Sequence, residues 1–150
     1  MAEATNGNHT DDQLKQILRQ HQIAVSHPRI ALLRYMMQNR RHPNVETVFH
    51  DLRPDNPTLS LTTVYNTLRL FADKGLCAML TIDDRQVYYD GMTHPHGHFM
   101  CAACGKIFDL PDNAMPTATH LQENGMEGFH VHEMHYYLKG TCRKCNNARQ

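Results

Sequence analysis

From Leu14 to Phe71 apolar residues recur three or four positions apart, the spacing of one face of a helix. Four helices are predicted. Thr10-Asp11-Asp12-Gln13 has the form of a capping box, and Leu14, Ile17 and Leu18 follow it. Ser26 is placed to cap a second helix, with Pro28 tolerated in the first turn and a core stripe of Ile30, Leu33 and Met37. Asn44 is placed to cap a third, carrying Val45, Val48, Phe49 and Leu52. Arg53-Pro54-Asp55-Asn56-Pro57 is turn material. Ser60 then caps a fourth helix with an apolar face of Leu61, Val64, Leu68 and Phe71, ending near Gly75. Beyond Cys77 the period drops to two. Leu80 and Ile82, then Val87 and Tyr89, alternate with polar neighbours around Asp83-Asp84, which predicts a two-stranded hairpin.

The pattern weakens after Asp90. His98 to Leu110 is strand-like around a CxxC pair, Asn113 to Asn124 is expected to be a helix with Met115, Ala118 and Leu121 as its stripe, and His130 to Gly140 alternates as a strand. A sheet this small leaves edges and apolar surface open, and pairing with a second copy is the usual remedy. The expected fold class is α+β. Helices followed by a β-hairpin make an N-terminal winged helix-turn-helix domain, 1–89, a DNA-binding arrangement. A small C-terminal α/β dimerisation domain, 90–150, carries the cysteines. The first residues, MAEATNGNHT, are polar and read as a loose tail without an apolar leader core. No window approaches the roughly 20 apolar residues of a membrane span. A cytoplasmic protein with reduced thiols is therefore expected.

Charge adds little. Ten of the fifteen basic and ten of the fifteen acidic residues lie in 1–90, so neither part is basic overall, and a DNA face must come from local placement. Cysteine and histidine change the picture. Cys101-Ala-Ala-Cys104 and Cys142-Arg-Lys-Cys145 can set four thiolates around one tetrahedral zinc ion, and Gly105 allows a tight turn beneath it. Two buried thiol pairs or disulfides are the competing reading. Seven of the twelve histidines, His94, His96, His98, His120, His130, His132 and His135, share this part of the chain, as expected of a region built around metal. Cys77 stands outside both pairs and reads as a small buried apolar residue, ahead of a reactive thiol.

On the fourth helix, at about 100° per residue, Thr62, Asn66 and Arg69 fall opposite the apolar face, with Tyr65 on the flank. Arg reads guanine, Asn reads adenine, and Thr or Tyr binds phosphate or a thymine methyl. A plain solvated face fits the same residues. The preceding helix and following hairpin favour binding to double-stranded operator DNA.

The run His42-Pro43 through Gly75, centred on Leu61-Thr62-Thr63-Val64-Tyr65-Asn66-Thr67-Leu68-Arg69, resembles the ferric uptake regulator (Fur) family. So do His96-Gly97-His98-Phe99-Met100-Cys101-Ala102-Ala103-Cys104-Gly105-Lys106 and Gly140-Thr141-Cys142-Arg143-Lys144-Cys145. The resemblance implies a homodimeric, metal-dependent transcription factor with a structural Zn2+ on the four cysteines. It also implies a regulatory Fe2+ or Mn2+ site at His42, Asp90, His96, His98 and Asp109. Aspartate at both acidic positions, with Tyr65-Asn66, resembles the peroxide-sensing branch of the family. A further site known in some members would fall on Pro95, Gly97, Pro116 and Met134, none a good ligand, although His94, His130, His132 and His135 offer replacements.

Three imidazoles and two carboxylates suit Fe(II) or Mn(II) and lack the thiolates that select copper or zinc. Five protein ligands leave one octahedral position for hydrogen peroxide. The resemblance implies that His42 or His96 is then oxidised, metal is lost and repression ends. The expected function is a peroxide-responsive repressor. The alternative is an iron- or manganese-responsive repressor of the same fold without the oxidative step. A zinc or thiol redox enzyme needs an open metal position beside a base, or a reactive cysteine. Neither is evident, so no enzyme activity is expected.

Overall fold

The structure, a computed structural model, describes residues 9–39 and 41–148. The expected N-terminal tail lies mostly outside them. The chain forms two compact units, 1–93 and 94–150. Among the described residues no helix is long and apolar enough to cross a membrane.

The first unit has four helices and a hairpin: α1 (Asp11–Gln20), α2 (His27–Gln38), α3 (Val45–Leu52), α4 (Leu61–Asp73), β1 (Ala78–Leu80) and β2 (Tyr88–Asp90). Local chemistry starts three of the helices. The Thr10 side chain accepts from Gln13 N–H while Gln13 reaches back to Thr10 N–H, completing the capping box. Asn44 accepts from Thr47 N–H and Ser60 from Thr63 N–H. Ser26 makes no such side-chain bond, and Pro28 supplies the preset first turn of α2 instead.

The core joins Leu14 and Leu18 of α1, Leu32, Leu33 and Met36 of α2, Val48 of α3, and Val64, Leu68 and Phe71 of α4. Two expected stripes need correction. On α2 the buried residues are Leu32, Leu33, Tyr35 and Met36, while Met37 is exposed, because the helix packs on more than one side and its apolar surface is broad. On α4, Leu61 is exposed and Thr67 takes a buried place. The β1–β2 hairpin is antiparallel, with Leu80 opposite Tyr88 and Ala78 opposite Asp90. Cys77 is buried and contacts the Leu68 carbonyl at 3.7 Å, and burial pushes its thiol up to about 12. It is a packing residue.

The second unit contains β3 (His98–Cys101), β4 (Ile107–Asp109), a single-turn helix α5 (Ala118–Leu121), β5 (Tyr137–Gly140) and α6 (Arg143–Asn147). Its sheet order is β4-β3-β5, antiparallel between β3 and β4 and parallel between β3 and β5. The helix expected over Asn113–Asn124 is broken. A short 3-10 turn covers Asp112–Ala114, Pro116 precedes α5, and Asn124 and Gly125 leave helical geometry. The strand expected from His130 starts only at Tyr137, and 130–135 runs as exposed coil.

Candidate metal centres and nucleic-acid face

The thiolate site grows out of β3 and β5. Cys101 ends β3 opposite Gly140 of β5, which sets the two CxxC pairs side by side. After the first pair the chain reverses at Gly105, whose φ of +70° favours glycine and whose N–H donates to the Cys101 carbonyl at 2.8 Å. After the second, Cys142 starts α6 and its carbonyl accepts from Asn146 N–H at 2.8 Å. The four sulfurs lie within 4.8 Å of one another, with Cys104 Sγ and Cys142 Sγ 3.9 Å apart. Tetrahedral zinc with Zn–S bonds of about 2.3 Å requires sulfurs about 3.8 Å apart. The set fits zinc, and no disulfide forms among the five cysteines.

The electrostatics agree. Cys142 N–H donates to Cys101 Sγ at 3.3 Å and holds that thiol down at about 6 against its burial. Cys145 is pushed up to about 12, chiefly by its contacts with the Cys142 and Cys104 sulfurs. Four thiolates at this spacing need a compensating dication, and loading one releases protons.

The nitrogen and oxygen ligands form one group in each unit. In the first unit, Tyr89 N–H donates to the Pro43 carbonyl at 2.9 Å and draws the end of β2 to the segment before α3. This sets Asp90 Oδ2 3.5 Å from His42 Nε2, with both side chains buried. Asp90 Oδ1 accepts from Met92 N–H at 2.8 Å, so one carboxylate oxygen is held by backbone and the other faces the imidazole.

In the second unit, His98 and Asp109 are opposite each other across β3 and β4. His98 Nε2 and His96 Nε2 lie 3.6 and 3.3 Å from Asp109 Oδ1. The other nitrogen of His96, Nδ1, is 2.8 Å from the His94 carbonyl. A carbonyl only accepts, so Nδ1 is the donor, and in the neutral ring this leaves the Nε2 lone pair for a metal. Sequence reasoning missed this backbone partner, as it missed the Met92 amide.

The remaining histidines do not assemble a third centre. Among the described residues, no other group of three or more metal-ligating side chains converges. His130 stacks edge-on with His132, His135 pairs with Glu133 and Tyr137, and His94 lies 4.0 Å from Asp112.

Thr62, Tyr65, Asn66 and Arg69 are all exposed on α4. Arg69 donates to the Tyr65 hydroxyl at 3.2 Å, which holds two long side chains in one orientation. Beside them the loop between β1 and β2 carries Arg85, its side chain 84 % exposed and its backbone N–H donating to Asp83. Asn44 Nδ2 donates to Gln86 at 2.6 Å and ties this loop to the start of α3. Arg85 and Gln86 are absent from the sequence-derived set, since nothing in their spacing places this loop beside α4.

Comparison with known proteins converges on one family. The ferric uptake regulator family model matches residues 20–139. The peroxide-responsive repressor PerR of Staphylococcus aureus is 36% identical over 130 residues, covering 87% of both chains. Among solved structures, PerR from Streptococcus pyogenes is 34% identical, covering 90% of this chain and 92% of that one at a TM-score of 0.50. The ferric uptake regulator of Francisella tularensis, solved with iron, is 25% identical, covering 83% and 95% at a TM-score of 0.70. With most of its length matched by the family model, the chain belongs to the ferric uptake regulator family.

Proposed function

We propose that the protein is a metal-dependent, peroxide-responsive transcriptional repressor that acts in the cytoplasm and binds operator DNA as a homodimer. The observation that carries this reading is the ligand chemistry. His42 with Asp90 in one unit, and His96 and His98 with Asp109 in the other, are all nitrogen and oxygen donors, the preference of Fe(II) and Mn(II). Neither group alone fills the coordination sphere of such an ion, and only five residues separate Asp90 from His96, a reach of about 20 Å at most. One ion shared by the five side chains satisfies both groups. Its binding couples the winged helix to the second unit, and operator affinity rises by linkage.

Thr62, Tyr65, Asn66 and Arg69 are the reading residues in this account. Two copies present two such helices to successive major grooves. The exposed Phe108 and Leu138 on the small sheet, with Phe129 and Val131 nearby in the chain, supply the apolar surface for subunit pairing.

His42, Asp90, His96, His98 and Asp109 would hold a ferrous ion, which would catalyse O–O cleavage with no net change in its own oxidation state, peroxide being the two-electron oxidant. For the chain, the net result is one oxygen added to a ring carbon of His42 or His96, with loss of two electrons from the ring and release of one water. The modified ring is a poor ligand, so the ligand set fails and the repressor leaves DNA. Similarity to PerR and aspartate at both acidic positions support this branch.

The test is anaerobic loading with iron, addition of dilute peroxide and peptide mass spectrometry. A gain of one oxygen on the His42 or His96 peptide, together with loss of operator binding, is expected. Intact histidines with binding preserved would favour the metal-responsive repressor without an oxidative step.

A further inference from the structure

We propose that Gly91, acting with the Met92 amide, is the positioning device that presets Asp90 as a ligand inside the winged-helix unit before any metal arrives. The inference rests on the reading above that Asp90 is a regulatory-metal ligand. Two hydrogen bonds already bracket Asp90. Tyr89 N–H on the Pro43 carbonyl fixes β2 beside His42, and Met92 N–H on Asp90 Oδ1 turns Oδ2 toward the imidazole.

Gly91 lies between the two donors and packs onto the backbone of α2. A Cβ at this position would stand 2.3 Å from the Met36 carbonyl oxygen and 3.2 Å from its carbon. Real Cβ atoms do not approach other atoms that closely. Met36 O belongs to helix backbone, which cannot yield by changing rotamer. The requirement is therefore one of space, since Gly91 does not occupy the left-handed region.

Any larger residue must lift the 91–92 turn off α2. The amide that holds Oδ1 moves with the turn, and Asp90 loses its orientation. Metal sites tolerate displacements of only about half an ångström. Loss of an outer partner of a ligand typically costs about 10- to 100-fold in metal affinity. Gly91 contacts neither the ion nor the DNA in this account and acts only through Asp90.

The experiment compares full-length, zinc-loaded wild type with G91A and G91V, titrating Mn2+ and reading free Mn2+ by electron paramagnetic resonance. Zinc content is expected to stay at the wild-type value. Mn2+ affinity is expected to fall about 10- to 100-fold in G91A and further in G91V. Operator affinity is expected to return to the wild-type value at saturating Mn2+, a recovery that general damage to the fold would not allow. Unchanged Mn2+ affinity in G91V overturns the positioning role alone. Failure of wild type to take up Mn2+ overturns the regulatory-site reading and this inference with it.

Wild type provides a second readout if the variants do not fold. The Met92 amide should be protected from hydrogen exchange in zinc-loaded, Mn2+-free protein. Exchange at the rate of an unstructured amide overturns the preset.

Discussion

The two units are held together by different physics. The first buries Leu14, Leu18, Leu32, Val64, Leu68 and Phe71 completely, and helix caps and core packing agree about where each helix lies. The second has very little interior. Its buried side chains are His96, His98, Met100 and Cys101, and none described between Ala102 and Ala148 is buried. Exposed Phe108, Phe129, Val131 and Leu138 make the contrast sharper. A small sheet with so little apolar burial needs a staple. Here the staple is the cysteine cluster, which joins the ends of β3 and β5. In the proposed account the regulatory metal is a signal that the first unit does not need in order to fold, whereas the zinc is part of the second unit's fold.

The largest expected effect separates the units by that difference. Removing zinc, through C142S or a strong chelator, should unfold the second unit and leave the first folded. Structural zinc contributes about 10–16 kcal/mol in small metal-dependent folds. Two-dimensional NMR should lose the β3–β5 amides and keep those of α1 to α4. Loss of both sets together would show that the units are not independent.

The converse substitution is F71A, in the core of the first unit. It should cost about 3–5 kcal/mol in chemical denaturation while zinc content stays unchanged. Zinc loss in F71A would break the division between core-held and metal-held structure. On the nucleic-acid face, R69A should weaken operator binding by about 1–3 kcal/mol and relax base preference at one position, measured by fluorescence anisotropy on single-base operator variants. The smallest effect is expected for N44A. Loss of the α3 cap should cost about 1 kcal/mol in thermal or chemical unfolding, with the zinc site indifferent.

The same contrast explains what was legible in the sequence. All four helix starts could be read, from Thr10, Ser26 with Pro28, Asn44 and Ser60, because the start of a helix is set by residues within one turn, although Ser26 makes no side-chain cap bond. The α2 stripe was misassigned because a helix packed on several sides has no single apolar face, and Leu32, Tyr35 and Met36 fall outside a narrow stripe. Leu61 reads as core by spacing, yet it sits on the first turn of α4 and is exposed. In the second unit, apolar pattern was a poor guide where there is little core to match. Pro116 and Gly125 interrupt the expected helix, and the strand expected from His130 reaches the sheet only near Tyr136, whose carbonyl accepts from His98 N–H at 2.9 Å.

The four cysteines could be read from spacing alone, since two CxxC pairs are self-contained. His42, Asp90, His96, His98 and Asp109 came from family resemblance, because ligands scattered over such a length have no local signature. Their supports were not legible at all. The His94 carbonyl, the Met92 amide and the close approach of Gly91 to Met36 are backbone features that side-chain patterns do not encode.

The central claim is that an ion on the nitrogen and oxygen ligands, distinct from the zinc, switches DNA binding. The direct test is operator affinity of zinc-loaded protein during Mn2+ titration, run in parallel on wild type and D109N. The account predicts a steep rise in wild-type affinity as Mn2+ is added and a flat response in D109N, with zinc content constant in both. Equal operator affinity with and without Mn2+, at full zinc occupancy, would contradict it.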